Sequence, residues 1–491
     1  MPESIDIQVI NLKLTKTNKT MNQNQKPNYT FALIVVIAVC FLIGFVTTMN
    51  NSMIAFCKST FNLSDTQGQF VNSAFYGMYV FSILLGMLMN KIGYKKTMIG
   101  GLAVVALGFL FCYFGINSYA DGASGMIEVP SDEVAAKALT TSVFYTFLMC
   151  MACVAIGIVM LQLVANPYVM VLGSPERGAF RMTISQAINS VATVFAPMFV
   201  SGIILGNSTS PEEEAALDNL KAKLAEDPNL SYANPTQATE SLAAQIDPSS
   251  ITTPFLGLCI FVAALCLILA FLKLPEIKEG EQSFDKNITY KSSVFKYPHV
   301  WLCALAICFY MGLEIGVPSM IPAKMQSLYP NVGDQWITKI ATGYLAFYWA
   351  GMMVGRFAGS WILGKFQPRT VLSTCLIAGA ACIGISFILP GMSGVYAMLL
   401  AGLFHSVMWP LIFNLGLQEL GPHTKAGSGV INMGVIGGGF LTVCMGLIIT
   451  NYTKLDDITT GVTIAIGLMF VFYLYEIWFC WRGSKIGLSK K

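Results

Sequence analysis

Long apolar runs alternate with short polar connectors along nearly the whole chain. A helix needs about 20 mainly apolar residues to cross the hydrocarbon core of a bilayer. Twelve stretches are long enough: 31–54, 68–90, 97–118, 141–166, 182–205, 253–273, 300–322, 340–364, 370–390, 395–418, 427–450 and 460–481, called spans 1 to 12 in chain order. The pattern predicts an all-α membrane protein with twelve transmembrane helices and both termini on one face. Two polar segments interrupt it. The first, 207–253, is acidic and Pro-rich; within it Pro211–Glu226 reads as a short surface helix and the rest as loop. The second, 274–299, is charged and falls at the midpoint. It predicts a linker between two six-helix halves, 31–273 and 300–481, flanked by tails 1–30 and 482–491.

The Lys and Arg residues choose the face. Most of the 29 lie in the tails and in the connectors from even to odd spans, whereas the opposite face holds only Lys58, Lys137, Lys221, Lys223, Lys324, Lys339 and Lys454. That asymmetry predicts cytoplasmic termini. The location expected of the chain is the cell inner membrane. Only 11% of residues are charged, against about 25% in soluble proteins. The net charge of +3 gives no reason to expect nucleic-acid binding. The thirteen cysteines lie mostly within apolar spans and read as small hydrophobes, so no metal or disulfide is expected. The polar N-terminal segment contains no apolar core of the kind that precedes leader cleavage.

Span 4 and span 10 carry a faint repeat. At a constant offset, Asn166, Leu172, Gly173 and Arg177 match Asn414, Leu420, Gly421 and Lys425. Repeats of this kind suggest a transporter with its site between the halves, near the midplane.

GMLMNKIGYKKT, starting at Gly86, resembles the loop between spans 2 and 3 of the major facilitator superfamily, with Asn90 where that family has an acid. NSAFYGMY (72–79), LQLVANPYVMVLG (161–173), GRFAGSWIL (355–363), MWPLIFNLGLQELGPHTKAGSG (408–429) and VIGGGF (435–440) resemble the fucose–galactose–glucose symporter family. Asn51 and Gln162 stand where its fucose branch has acids. Gln162 and the Glu of FYMGLEIG are similar to the glucose/galactose branch. The resemblance implies the major facilitator fold, two six-helix pseudo-repeats, with a cavity lined mainly by spans 1, 4, 7 and 10. It also implies import of a hexose by alternating access: glucose or galactose, with fucose and amino sugars as further candidates.

Amide side chains both donate and accept, which suits sugar hydroxyls. The expected sugar contacts are therefore Asn51, Asn72, Gln162, Gln186, Asn189 and Asn414, with Tyr76, Tyr310 and Trp349 against the ring. Each amide has a competing reading as a bond between helices. Glu314, in ICFYMGLEIGVPSM (307–320), is a charge deep in an apolar run, flanked by Gly312, Gly316, Pro318 and Pro322. Intramembrane charges are costly, and they mark pathways and relays. Glu314 is expected to contact sugar and to carry the coupling ion, H+ or Na+, with His405 as a second candidate. His405 equally reads as a histidine bonded within the bundle, and Arg356 and Glu476 as residues snorkelling to the interface. The alternatives are a passive sugar uniporter and, from other classes, a membrane sugar sensor or an embedded transferase. The inner segments are short, and no clustered acids, bases or metal ligands lie at the surface, which disfavours the last two. No enzyme activity or cofactor is expected, and a monomer in lipid is.

Overall fold

The computed structural model describes residues 30–61, 70–122, 125–171, 177–200, 211–227, 229–232, 245–246, 249–272 and 290–488. The expected N-terminal tail, the linker before residue 290 and the middle of the 207–253 segment lie outside these. The fold is all-α and each of the twelve expected spans is helical. Span 1 is Thr30–Phe61, span 4 Glu133–Val171, span 5 Gly178–Phe199, span 6 Ser249–Phe271, span 8 Asp334–Ile362, span 9 Pro368–Ile388 and span 12 Ile458–Trp481. Spans 2 and 3 run together as Phe70–Asn117, 48 residues. At 1.5 Å per residue that is about 72 Å, more than twice the thickness of a hydrocarbon core. It therefore crosses twice, turning at Gly93, whose φ of 82° only glycine adopts without strain.

Four spans are interrupted. Span 2 tightens at Met78–Phe81, between Phe70–Gly77 and the helix that begins at Ser82. Span 7 is Pro298–Glu314 followed, after Ile315, by Gly316–Leu328. Span 10 is Met392–His405 and Met408–Gly416, bent by 41°. Span 11 joins Thr424–Met433 to Gly437–Thr453 through a tight turn at Gly434–Ile436. Spans 5 and 8 are less apolar than the rest because they carry Arg181, Gln186, Asn189 and Arg356.

Glycines set the closest approaches. A Cβ on Gly434 would lie 2.0 Å from the Ala304 carbonyl oxygen, and one on Gly437 would lie 2.1 Å from that of Cys308. Spans 7 and 11 thus touch backbone to backbone, as small residues permit between membrane helices. Gly434→Leu is expected to prevent that packing and to cost more than the usual 1–3 kcal/mol of overpacking, since backbone cannot yield as a side chain does. Thermal unfolding in detergent checks it. Gly446→Ala, where nothing lies within 4 Å, should melt with the wild type.

The halves meet along spans 2 and 11. A Cβ on Gly86 would sit 3.0 Å from the Gly429 Cα, and one on Gly439 would sit 3.4 Å from the Tyr76 Cβ. Beside the Gly93 turn the Lys425 ammonium lies 4.9 Å from the centre of the Tyr94 ring. Away from the termini, Ile127–Glu128 pairs antiparallel with Gln245–Ile246. Pro211–Glu226 is a helix, as its composition suggested.

Two expectations are corrected. Neither Glu476 nor Arg356 snorkels. Glu476 is fully buried, because span 12 packs its face against span 7. Arg356 turns inward to acceptors on both halves. Cys150 and Cys153, three apart on span 4, are free, like every other described cysteine.

Candidate binding cavity

Between the halves lies a cavity. Helical periodicity determines its walls. On span 1, Gly44, Thr47, Thr48 and Asn51 recur every three or four residues and face it. Span 5 presents Gln186, Asn189, Ser190 and Thr193 in the same way. Tyr76, Tyr79 and Gln162 complete the first half. The second half contributes Met311 and Glu314 from span 7, Trp349, Met352 and Arg356 from span 8, and Trp409 from span 10. The amide oxygens of Asn51 and Gln162 have no hydrogen-bond partner among the described residues. Buried polar atoms are rarely left in that state, so these two are acceptors available to a ligand's hydroxyls.

At the centre, Arg356 Nη2 lies 3.3 Å from Glu314 Oε1, with both side chains almost entirely buried. The guanidinium also donates to Ser190 Oγ (2.6 Å) and to the Gln186 carbonyl (3.3 Å), both on the other half. Its Nε donates to the Ser406 carbonyl at 3.2 Å. The local sequence explains this last bond. Pro410 has no N–H to offer the carbonyl four residues back, which is that of Ser406. Pro318 frees the Glu314 carbonyl in the same way, and the Tyr348 hydroxyl donates to it at 3.0 Å. Each member of the ion pair is therefore engaged beside a main-chain acceptor that a proline has released.

His405 lies behind this pair rather than in the cavity wall. Its Nδ1 is 2.7 Å from the Tyr348 hydroxyl and its Nε2 is in contact with the Tyr473 hydroxyl. Because the Tyr348 proton goes to Glu314, a consistent pattern has Nδ1–H donating to Tyr348 and Tyr473 donating to Nε2. That pattern uses a neutral imidazole with both nitrogens occupied.

Of the expected contacts, Asn51, Tyr76, Gln162, Gln186, Asn189, Glu314 and Trp349 line the cavity. Asn189 is partly committed, donating to the Cys40 carbonyl at 2.7 Å. Asn72, Tyr310 and Asn414 are not in the wall. Asn72 accepts from Asn50 Nδ2 at 3.2 Å, a bond between spans 1 and 2. The Tyr310 hydroxyl donates to the His405 carbonyl at 3.1 Å, so its ring faces span 10. Sequence reasoning missed Thr47, Thr48, Ser190, Thr193, Tyr79 and Trp409. The first five sit three, four or seven residues from an expected contact on the same helix, a signal that was there to read. Trp409 had only its place in the MWPLIFN motif.

The family profile described as Major Facilitator Superfamily matches residues 36–443. The chain is 30% identical over 468 residues to the glucose/galactose transporter of Brucella abortus, covering 95% of this chain and 97% of that one. It is 28% identical over 434 residues to the L-fucose-proton symporter of Escherichia coli, covering 86% and 88%. Its fold is similar to the crystal structure of the transporter FucP in the outward conformation, with a TM-score of 0.65, 24% identity, and coverage of 92% of this chain and 99% of that one. A profile spanning most of the chain and relatives matched nearly end to end agree with the two-half fold: the chain belongs to the major facilitator superfamily, and within it to the fucose–galactose–glucose symporter family.

Proposed function

We propose that this multi-pass membrane transporter imports a hexose, glucose or galactose before fucose or an amino sugar, by alternating access. It is a transporter rather than an enzyme. The observation that carries the reading is the cavity wall. Unsatisfied amide oxygens at Asn51 and Gln162 share the cavity with Tyr76 and Tyr79 of their own half and with Trp349 and Trp409 of the other. Hydroxyls of a pyranose satisfy such acceptors, and aromatic rings pack on its C–H face. The names of the Brucella abortus and Escherichia coli relatives support the same substrate class.

Glu314 is the proposed coupling residue. Taking up a proton would weaken its hold on Arg356, whose other donors bind Ser190 and Gln186 across the cavity. Ion binding, the sugar wall and the contact between halves then meet at one guanidinium. His405 serves this reading as a brace for Tyr348. Sodium in place of the proton is the variant of the reading. The protein works as a monomer in the inner membrane with cytoplasmic termini, residues 274–299 linking its halves.

A second reading, passive uniport, is favoured by Asn51 and Gln162 standing where the fucose branch has acids, and by Glu314 already being paired. One experiment separates the two readings. Uptake of radiolabelled glucose and galactose into reconstituted vesicles is measured under imposed proton or sodium gradients. Accumulation above equilibrium under one gradient is the expected result. Equilibration alone under either gradient leaves the uniporter, and absence of any hexose uptake removes the substrate assignment.

A further inference from the structure

Four polar residues form a layer between the cavity and the face of the termini. Spans 2 and 4 run toward that face, and they place Ser82 one turn beyond Tyr79 and Asn166 one turn beyond Gln162. Spans 5 and 11 run away from it, and they place Thr183 one turn before Gln186 and Asn432 one turn before Val435. Tyr79, Gln162, Gln186 and Val435 all line the cavity, so the four polar residues are the next layer down. Their helices touch: span 11 packs on spans 2 and 4, and span 4 packs on span 5. Ser82, Thr183 and Asn432 are fully buried and Asn166 nearly so. Yet Ser82 Oγ, Thr183 Oγ1, Asn166 Nδ2 and both polar atoms of the Asn432 amide have no hydrogen-bond partner among the described residues. Polar side chains that fasten membrane helices do so by bonding across them. Of these four only Asn166 does, its Oδ1 accepting from Gln186 Nε2 at 3.5 Å.

We propose that Ser82, Asn166, Thr183 and Asn432 form a second hexose subsite, one layer nearer the termini than the cavity, which the sugar occupies on its way out. The proposal rests on the alternating-access import of a hexose proposed above. Buried polar groups are costly when unpaired, so apolar residues would serve better here if the layer stayed closed throughout the cycle. The layer lies on the contact between the halves. A Cβ on Gly429, one turn from Asn432, would sit 2.7 Å from the Ser82 carbonyl oxygen. Parting the halves on the side of the termini therefore draws Asn432 away from the other three and opens the layer between them. Its hydroxyls and amides both donate and accept, as sugar hydroxyls require. Gln186 links the two sites, since it lines the cavity and bonds Asn166 in the layer below.

Two measurements test this. Thr183→Val and Asn432→Leu remove unpaired groups, so each variant is expected to melt at the wild-type temperature or above it. Each should bind glucose and galactose in detergent with unchanged affinity, because Asn51 and Gln162 are intact, and should lower the maximal rate of uptake about two- to tenfold, the worth of one hydrogen bond. Thr183→Ser, which keeps the hydroxyl, should keep the rate. Wild-type rates in both apolar variants would overturn the subsite, and so would slower uptake accompanied by a lower melting temperature, the mark of a structural role. The second measurement needs no sugar. Thr183→Cys and Asn432→Cys are treated with a charged methanethiosulfonate reagent applied to one face of the membrane at a time. Labelling above the wild-type background from the face of the termini alone is expected. No labelling from that face would show that the layer stays dry and would remove the subsite whatever the protein carries. Absence of hexose uptake with this labelling intact would fault the substrate and not the layer.

Discussion

Arg356→Ala is expected to abolish transport in every mode, counterflow included, and to lower the melting temperature of the protein. The guanidinium satisfies Glu314 Oε1, Ser406 O, Ser190 Oγ and Gln186 O from a nearly dry position. Removing one partner of a buried ion pair costs about 3–5 kcal/mol, because the other charge stays buried without compensation. The Ser406 carbonyl would be orphaned as well, since Pro410 cannot bond it. Arg356→Lys keeps the charge but not the planar fork, and three donors on one nitrogen cannot reproduce the spread of the guanidinium over its four acceptors. It should retain more stability than the alanine variant and still fail to transport. Arg356→Ala with Glu314→Ala should recover part of the melting temperature, since no lone charge remains, without recovering uptake. Thermal unfolding and vesicle uptake read all three variants, and wild-type uptake by Arg356→Ala would remove Arg356 from the mechanism.

Glu314→Gln is expected to separate accumulation from exchange. The amide retains an oxygen for Arg356 and nearly the same volume, so the cavity and the contact between halves persist. It cannot take up a proton or hold a cation as a carboxylate does. Sugar should therefore equilibrate, and exchange against preloaded sugar should continue, while concentration above equilibrium disappears under any imposed gradient. Full accumulation by Glu314→Gln would show that the ion is carried elsewhere. Arg356→Ala removes both activities and Glu314→Gln only one, so the pair of variants distinguishes a residue that links the halves from one that links transport to an ion.

Glu314 was legible in the sequence because a carboxylate in an apolar run stands out against about twenty neighbours. Its partner was not. Arg356 lies 42 residues away along the chain, near enough to a span end to look like a snorkelling residue, and no local period connects the two. Only the crossing of spans 7, 8 and 10 brings them together. Tyr310 shows the opposite failure. It is one turn from Glu314 and shares its side of the helix, yet its hydroxyl donates to the His405 carbonyl on span 10 and it stays out of the cavity wall. The spans themselves were readable from length alone. The amides were half readable: Asn51 and Gln162 line the cavity with unpaired oxygens, whereas Asn72 bonds span 1. An amide that holds helices together and one that waits for a ligand are the same letter in sequence.

Pro318 and Pro410 carry a consequence for re-engineering the cavity. The anchors beside Glu314 and Arg356 are carbonyls released by those two rings, and a carbonyl is present whatever side chain its residue bears. Asn51, Gln162, Thr193 and Trp349 can therefore be varied to admit differently shaped ligands while the ion pair keeps its main-chain footing. The positions a designer should leave alone are two prolines that lie outside the cavity wall.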